Sequence, residues 1–172
     1  RGFASIAHVP ALKALPDFEI VAVGTTRQDS ADAAAKHYGA RLAFADAAQL
    51  AAHPDVDLVT VCVKAPDHYG PVMAAIAAGK HVYCEWPLGR NTDEAIRMHA
   101  AADKAGVRHV IGLQGRVSPS ISYVRDLISD GYIGRALSGT MFVNAANWGA
   151  TLGEAYQADR NNGANLMTIP GC

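Results

Sequence analysis

Charge of one sign is missing from this 172-residue chain: 15 Lys and Arg face 16 Asp and Glu, a formal net charge of -1. No field of a single sign is available to grip nucleic acid or an anionic membrane, so a purely electrostatic nucleic-acid binder is excluded. Cysteine is scarce and odd in number: Cys62, Cys84 and Cys172, with no CxxC spacing. Neither a disulfide framework nor a zinc site follows from such a set, and a reducing, cytoplasmic setting is the default expectation. No apolar run approaches the ~18 residues of a membrane span. Aromatics are only 7% of the residues. G-x-S-x-G, a P-loop and basic helices with interleaved aromatics are all absent.

Apolar residues, by contrast, make up 50% of the chain and charged ones 18%, enough for a proper core and against disorder. Alanine is roughly a fifth of the residues, well above ordinary usage. That content suits helices packed closely on a sheet. At ~100–200 residues per domain, the length allows one domain or one domain and part of another.

Periodicity predicts a helix over 3–15, a strand over 18–24, a helix capped at Asp29 or Ser30 and ending at Gly39, a short strand over 41–44 and a short helix over 46–52. Residues 57–63 read as the strongest strand, a near-continuous apolar run that fits a parallel strand covered on both faces. A helix over 68–78, a strand over 80–84, a helix opened by the capping box 91–94, and a strand over 108–112 follow. Strand and helix thus alternate about every twenty residues, which predicts right-handed βαβ units and a doubly wound parallel sheet, an α/β fold. After Gly115 the rhythm changes to a helix from Pro119 to near Gly131, one long strand over 136–146, and a Gly- and Asn-rich stretch from Trp148 to Cys172. The predicted division is 1–115 and 116–172, the second part being the start of an α+β domain that cannot bury a core alone. With strand edges and apolar surface left open, the chain by itself is expected to be poorly soluble.

In open α/β sheets, ligands bind beyond the carboxyl ends of the strands. Four clusters stand there. The first is Thr25-Thr26-Arg27, with no carboxylate to take ribose hydroxyls. It reads either as a site for the 2′-phosphate of NADP, paired with Arg27 and favoured over NAD, or as a polar turn with a solvated arginine. The second runs from Val63 and Lys64 through Pro66 to His68, and reads as cofactor backbone contact or as simple turn chemistry. The third is Glu85-Trp86-Pro87, where Glu85 suits a ribose hydroxyl or a substrate proton and Trp86 a stacking partner, against a packed polar turn; the bond before Pro87 is a candidate cis peptide. The fourth is Gln114 and Arg116 at the domain hinge, reaching substrate or cofactor, or forming an interdomain ion pair. Glu85, Trp86 and Arg116 are the catalytic candidates. Gly2 is either the last residue of a glycine-rich turn or a helix-start glycine. Cys62 and Cys84 read as small buried hydrophobes. His8, His37, His53, His81, His99 and His109 are scattered and receive no role, and no metal is expected.

Taken together, residues 57–63, the Pro turn with His68, and the run 78–88 resemble the glucose-fructose oxidoreductase/inositol dehydrogenase/MocA (Gfo/Idh/MocA) family. Residues 63–69, 85–88, 113–119 and 127–134 are similar to its branch around the yeast galactose-regulon repressor. The resemblance implies a Rossmann domain followed by an α/β domain with an open sheet, a nicotinamide cofactor, a sugar or polyol substrate, and a homo-oligomer at full length. It further implies that the first strand and its glycine turn lie before Arg1 and that a catalytic Gly-His segment lies past Cys172, a chain truncated at both ends. Enzymatic branches usually read Glu-Lys-Pro where this chain has Glu85-Trp86-Pro87, and an indole cannot exchange a proton near neutral pH. Two readings stay open: an NADP-dependent oxidoreductase, or a non-catalytic NADP sensor that regulates transcription through a protein partner.

Overall fold

The computed structural model describes residues 2–142, 154–165 and 168–169. The chain opens with a π-helical stretch, Ala4–His8, that passes into α1, Val9–Ala14, with Pro10 in its first turn. Then follow β1 (Ala22–Gly24), α2 (Gln28–Tyr38), β2 (Leu42–Phe44), α3 (Ala47–Ala52) and β3 (Leu58–Val61). A 3-10 turn, Ala65–Asp67, leads to α4 (Tyr69–Ala77), β4 (His81–Glu85), α5 (Thr92–Ala105) and β5 (His109–Gly112). A second 3-10 turn, Gln114–Val117, joins α6 (Pro119–Ser129). Two more, Ala155–Ala158 and Arg160–Asn162, follow later in the chain.

All strand pairs are parallel, but they form two sheets, β1-β2 and β3-β4-β5. In β3-β4 register Val59 lies opposite Val82, and in β4-β5 register Tyr83 lies opposite Val110. The break between the sheets falls where the Rossmann order 3-2-1-4-5-6 puts its first strand. β1 therefore pairs along one edge only, and the expected strand over 18–24 shortens to three residues.

The core lies on one face of β3 and β4. Val59, Val61, Val82 and Cys84 point into it and meet Ala51 of α3, Val72, Ala75 and Ile76 of α4, and Met98 and Ala102 of α5. The alternate residues Thr60, Tyr83 and Glu85 are only half-buried. β3 is thus covered fully on one face, not on both as its apolar run implied. Its strong pattern reflects β propensity as much as burial.

Local chemistry sets the helix ends. Asp46 Oδ1 accepts from the Gln49 N–H at 2.8 Å and caps α3. Asn91 Oδ1 accepts from the Glu94 N–H at 2.9 Å and caps α5. The Glu94 carboxylate returns the bond one residue earlier than a standard capping box, to the Arg90 N–H at 2.9 Å. Gly39 and Gly106 end α2 and α5 with φ of 78° and 68°, a left-handed conformation that suits glycine. The predicted cap at Asp29 or Ser30 is displaced: α2 already starts at Gln28, and Asp29 Oδ1 accepts from the Ser30 N–H inside its first turn. The predicted long strand over 136–146 does not form through residue 142, and 143–146 lie outside the described residues. Trp148 and Cys172 also lie outside them.

Candidate active site

The carboxyl ends of β3, β4 and β5 meet the start of the chain around a cavity of about 280 Å³. That is near the ~300 Å³ lower end of small-molecule sites. Val63, Ala65, Pro87 and Ile169 give it apolar walls, and His8, Tyr83, Glu85, Trp86, Gln114 and Gln157 give it polar edges. A smaller void of about 40 Å³ sits under α5 among Val72, Met98 and Ile111, with His99 and His109 also in its lining.

Glu85, the last residue of β4, projects to the less covered face, where His8 meets it. His8 Nε2 lies 2.7 Å from Glu85 Oε1. The His8 ring packs edge-on against Tyr83 at 5.4 Å and Phe3 at 5.5 Å. Burial, then the nearby Glu85 charge, raises the Tyr83 hydroxyl above its ordinary range, so at neutral pH it is a proton donor. The same two causes push the thiols of Cys62 and Cys84 up to about 12, which keeps both protonated and unreactive.

The peptide bond Trp86-Pro87 is cis. Trp86 is half-buried, and its indole N–H donates to the Thr168 carbonyl, which binds the cavity wall to the later segment of the chain. His68 is buried at 1% exposure. Its Nδ1 lies 2.8 Å from the Pro87 carbonyl oxygen and its Nε2 2.9 Å from that of Val63, so one ring joins the turns after β3 and β4. Lys64 Nζ pairs with Glu154 at 2.9 Å and lies 5.2 Å from the Tyr156 ring centre. The bond to Glu154 holds the Lys64 ammonium above its ordinary range.

The structure brings together Val63, His68, Glu85, Trp86, Pro87 and Gln114 from the expected set. Lys64 and Pro66 flank them outside the lining. Thr25, Thr26 and Arg27 stand at the end of β1, in the other sheet and outside the lining. There Thr25 Oγ1 bonds Ser30 Oγ at 3.0 Å, and Arg27 Nε donates to Asp29 at 3.1 Å with both side chains exposed. Arg116 is exposed, outside the lining, and has no ion-pair partner among the described residues. Gly2 takes φ of 91° just before the first helical turn.

His8, Tyr83, Tyr156, Gln157 and Ile169 line the cavity without being singled out by the sequence. For Tyr83 the signal was there, since it shares a strand face with Glu85 two residues on. Nothing local marked His8, which reaches Glu85 across 77 positions. His8, Cys62 and Glu85 place their ligand atoms within 4.8 Å of one another.

A nicotinamide nucleotide fits this site, whose apolar wall suits a flat ring and whose carboxylate and amide edge suits ribose hydroxyls. Residues 1–113 match the oxidoreductase family with an NAD-binding Rossmann fold, and residues 119–171 match the C-terminal domain of Gal80p. The chain is 34% identical to the dehydrogenase aclE of Aspergillus oryzae, over 90% of this chain and 43% of that protein. It is 28% identical to the galactose/lactose metabolism regulatory protein GAL80 of Saccharomyces cerevisiae, over 98% of this chain and 41% of that protein. It thus spans about two fifths of the length of these relatives. A solved NAD-binding oxidoreductase from Klebsiella pneumoniae superimposes with a TM-score of 0.82 at 29% identity, over 99% of this chain and 48% of that one. With two thirds of its length matched by the family's Rossmann domain, the chain belongs to the Gfo/Idh/MocA oxidoreductase family.

Proposed function

We propose that this chain carries the cofactor domain of an NADP-dependent oxidoreductase that interconverts a carbinol and a carbonyl on a sugar, polyol or similar cyclic alcohol. The observation that carries the reading is the cavity at the ends of β3–β5, where Glu85, Trp86 and Gln114 meet at one rim beside His8 and Tyr83. Residues 1–115 supply the nucleotide site and 116–172 begin the substrate and oligomerisation domain. The nicotinamide, when bound, exchanges a hydride with the substrate carbon. Of the three catalytic candidates, Trp86 donates but does not exchange protons, and Arg116 stands outside the lining. Glu85, with His8 Nε2 at 2.7 Å, is the group that takes or returns the proton of the substrate hydroxyl. Thr25, Thr26 and Arg27, with Thr25 rather than a carboxylate directly after β1, favour the 2′-phosphate of NADP over NAD, the phosphate then displacing Asp29 from exposed Arg27. The cytoplasm is the compartment in which such a cofactor and the unpaired thiols are kept reduced.

The test is to load the full-length protein with NADPH, add a panel of sugars and keto-sugars, and follow the nicotinamide absorbance. Loss of the reduced band with one compound supports the reading. A reduced band that persists with every compound favours the second reading, an NADP sensor acting through a protein partner. One observation supports that alternative: Trp86 replaces the usual lysine, and its N–H is already committed to Thr168.

A further inference from the structure

We propose that His99, Asp103 and His109 form a binding site for a divalent transition metal, zinc above all, on the side of the fold opposite the cofactor cavity. His99 and Asp103 are one turn apart on α5, so their side chains share a face. His109 is the first residue of β5 and reaches the same spot from the sheet. His99 Nδ1 lies 3.0 Å from Asp103 Oδ2, and His109 Nε2 lies 3.0 Å from Asp103 Oδ1. The two imidazoles stand edge to face at 5.2 Å, interplanar angle 74°. All three ligand atoms fall within 4.8 Å of one another.

Those distances nearly meet the demands of a metal. With every pair of ligand atoms within 4.8 Å, a point equidistant from them is at most about 2.8 Å from each, against ~2.0–2.2 Å for zinc bonds to histidine nitrogen and carboxylate oxygen. Closing that gap of up to about 0.6–0.8 Å asks rotations of side chains that are 34–63% exposed. Two imidazoles and one carboxylate suit zinc and its neighbours rather than magnesium or calcium. Exposure leaves the fourth position to water. The carboxylate that now pairs with both rings holds them facing one another, so much of the ordering precedes the ion. Because the three residues come from α5 and β5, the ion staples the end of that helix to the first residue of the edge strand. The cavity residues Glu85 and Gly112 stand at the other ends of their strands, so the site does not compete with cofactor.

The experiment is a calorimetric zinc titration of the full chain, tag-free and stripped of metal, with cobalt as a spectroscopic substitute. One ion binds per chain, and His99→Ala and His109→Ala each weaken it at least ~10-fold, a loss on the scale of supporting-residue changes or larger. Zinc raises the Tm of the parent chain and leaves that of His99→Ala unmoved, while His37→Ala behaves as the parent. The cobalt spectrum carries no thiolate charge-transfer band. Absence of saturable binding, affinity unchanged in His99→Ala and His109→Ala, or a thiolate band placing the ion at a cysteine would each overturn the proposal.

Discussion

Replacing Glu94 by Gln tests how the loop that carries Glu85-Trp86-Pro87 is anchored. The Glu94 side chain is 3% exposed and accepts from the Arg90 backbone N–H at 2.9 Å, from Nε at 2.8 Å and from a terminal guanidinium nitrogen at 2.5 Å. Glutamine keeps the shape but offers one acceptor oxygen, and its amide nitrogen then faces a donor of Arg90. One hydrogen bond to a charged group is lost, about 2 kcal/mol within the ~1.5–3 kcal/mol range of such bonds. For a chain of this size that lowers Tm by about 4–8 °C. The hydrogen bond from Arg90 holds the Glu94 carboxyl below its ordinary value, ahead of the opposing effect of burial. A depressed carboxyl contributes stability that is present above its unfolded value and is lost as pH falls through the folded one. The gap between parent and Glu94→Gln therefore narrows as pH falls from neutral toward the acid side of the carboxylate range. Urea unfolding of both proteins across that range measures it. A gap under about 0.5 kcal/mol at neutral pH, typical of inconsequential surface changes, or one that widens on acidification, rules out the Glu94–Arg90 anchor.

At Gly112 a Cβ would collide with the Tyr83 ring and hydroxyl, so Gly112→Ala costs about 1–3 kcal/mol of overpacking, read as a lowered urea midpoint; an unchanged midpoint contradicts the close approach. His68→Ala strips the Pro87 and Val63 carbonyls of their shared partner and costs about 1–3 kcal/mol in urea unfolding; an unchanged midpoint contradicts the bridging role. With thiols pushed up to about 12, Cys62 and Cys84 stay unalkylated by iodoacetamide near pH 8 in the folded protein and react only after denaturation, a contrast that peptide mass spectrometry reads directly.

Much of the fold was legible because its signals are local. Asn91 and Gly39 mark helix ends through their own side-chain and backbone chemistry and stand where the sequence puts them, while Asp46, read as the first helical residue, is instead the cap of α3. The α2 start escaped because Thr25 and Arg27 shape the turn before Asp29 can cap it. Of the strand predicted over 136–146, residues 136–142 are described and are not extended into a ladder, because β propensity alone does not fix a strand without cross-strand pairing. At the site, the strand-end rule located Val63, Glu85, Trp86 and Gln114, since it depends only on strand order. His8 and Tyr156 depend on contacts across many tens of residues, which no spacing encodes. The same holds for His99 and His109, which look scattered along the chain and meet only because α5 runs back to the start of β5.

If the proposed function holds, the cavity holding Trp86 takes a nicotinamide nucleotide. Titrating NADPH and NADH into the full-length protein while following tryptophan fluorescence tests it most directly. Saturable quenching is expected, tighter for NADPH, and largely lost in Trp86→Phe while that variant still binds NADPH by calorimetry. Quenching that does not saturate with either nucleotide, or that persists undiminished in Trp86→Phe, would contradict it.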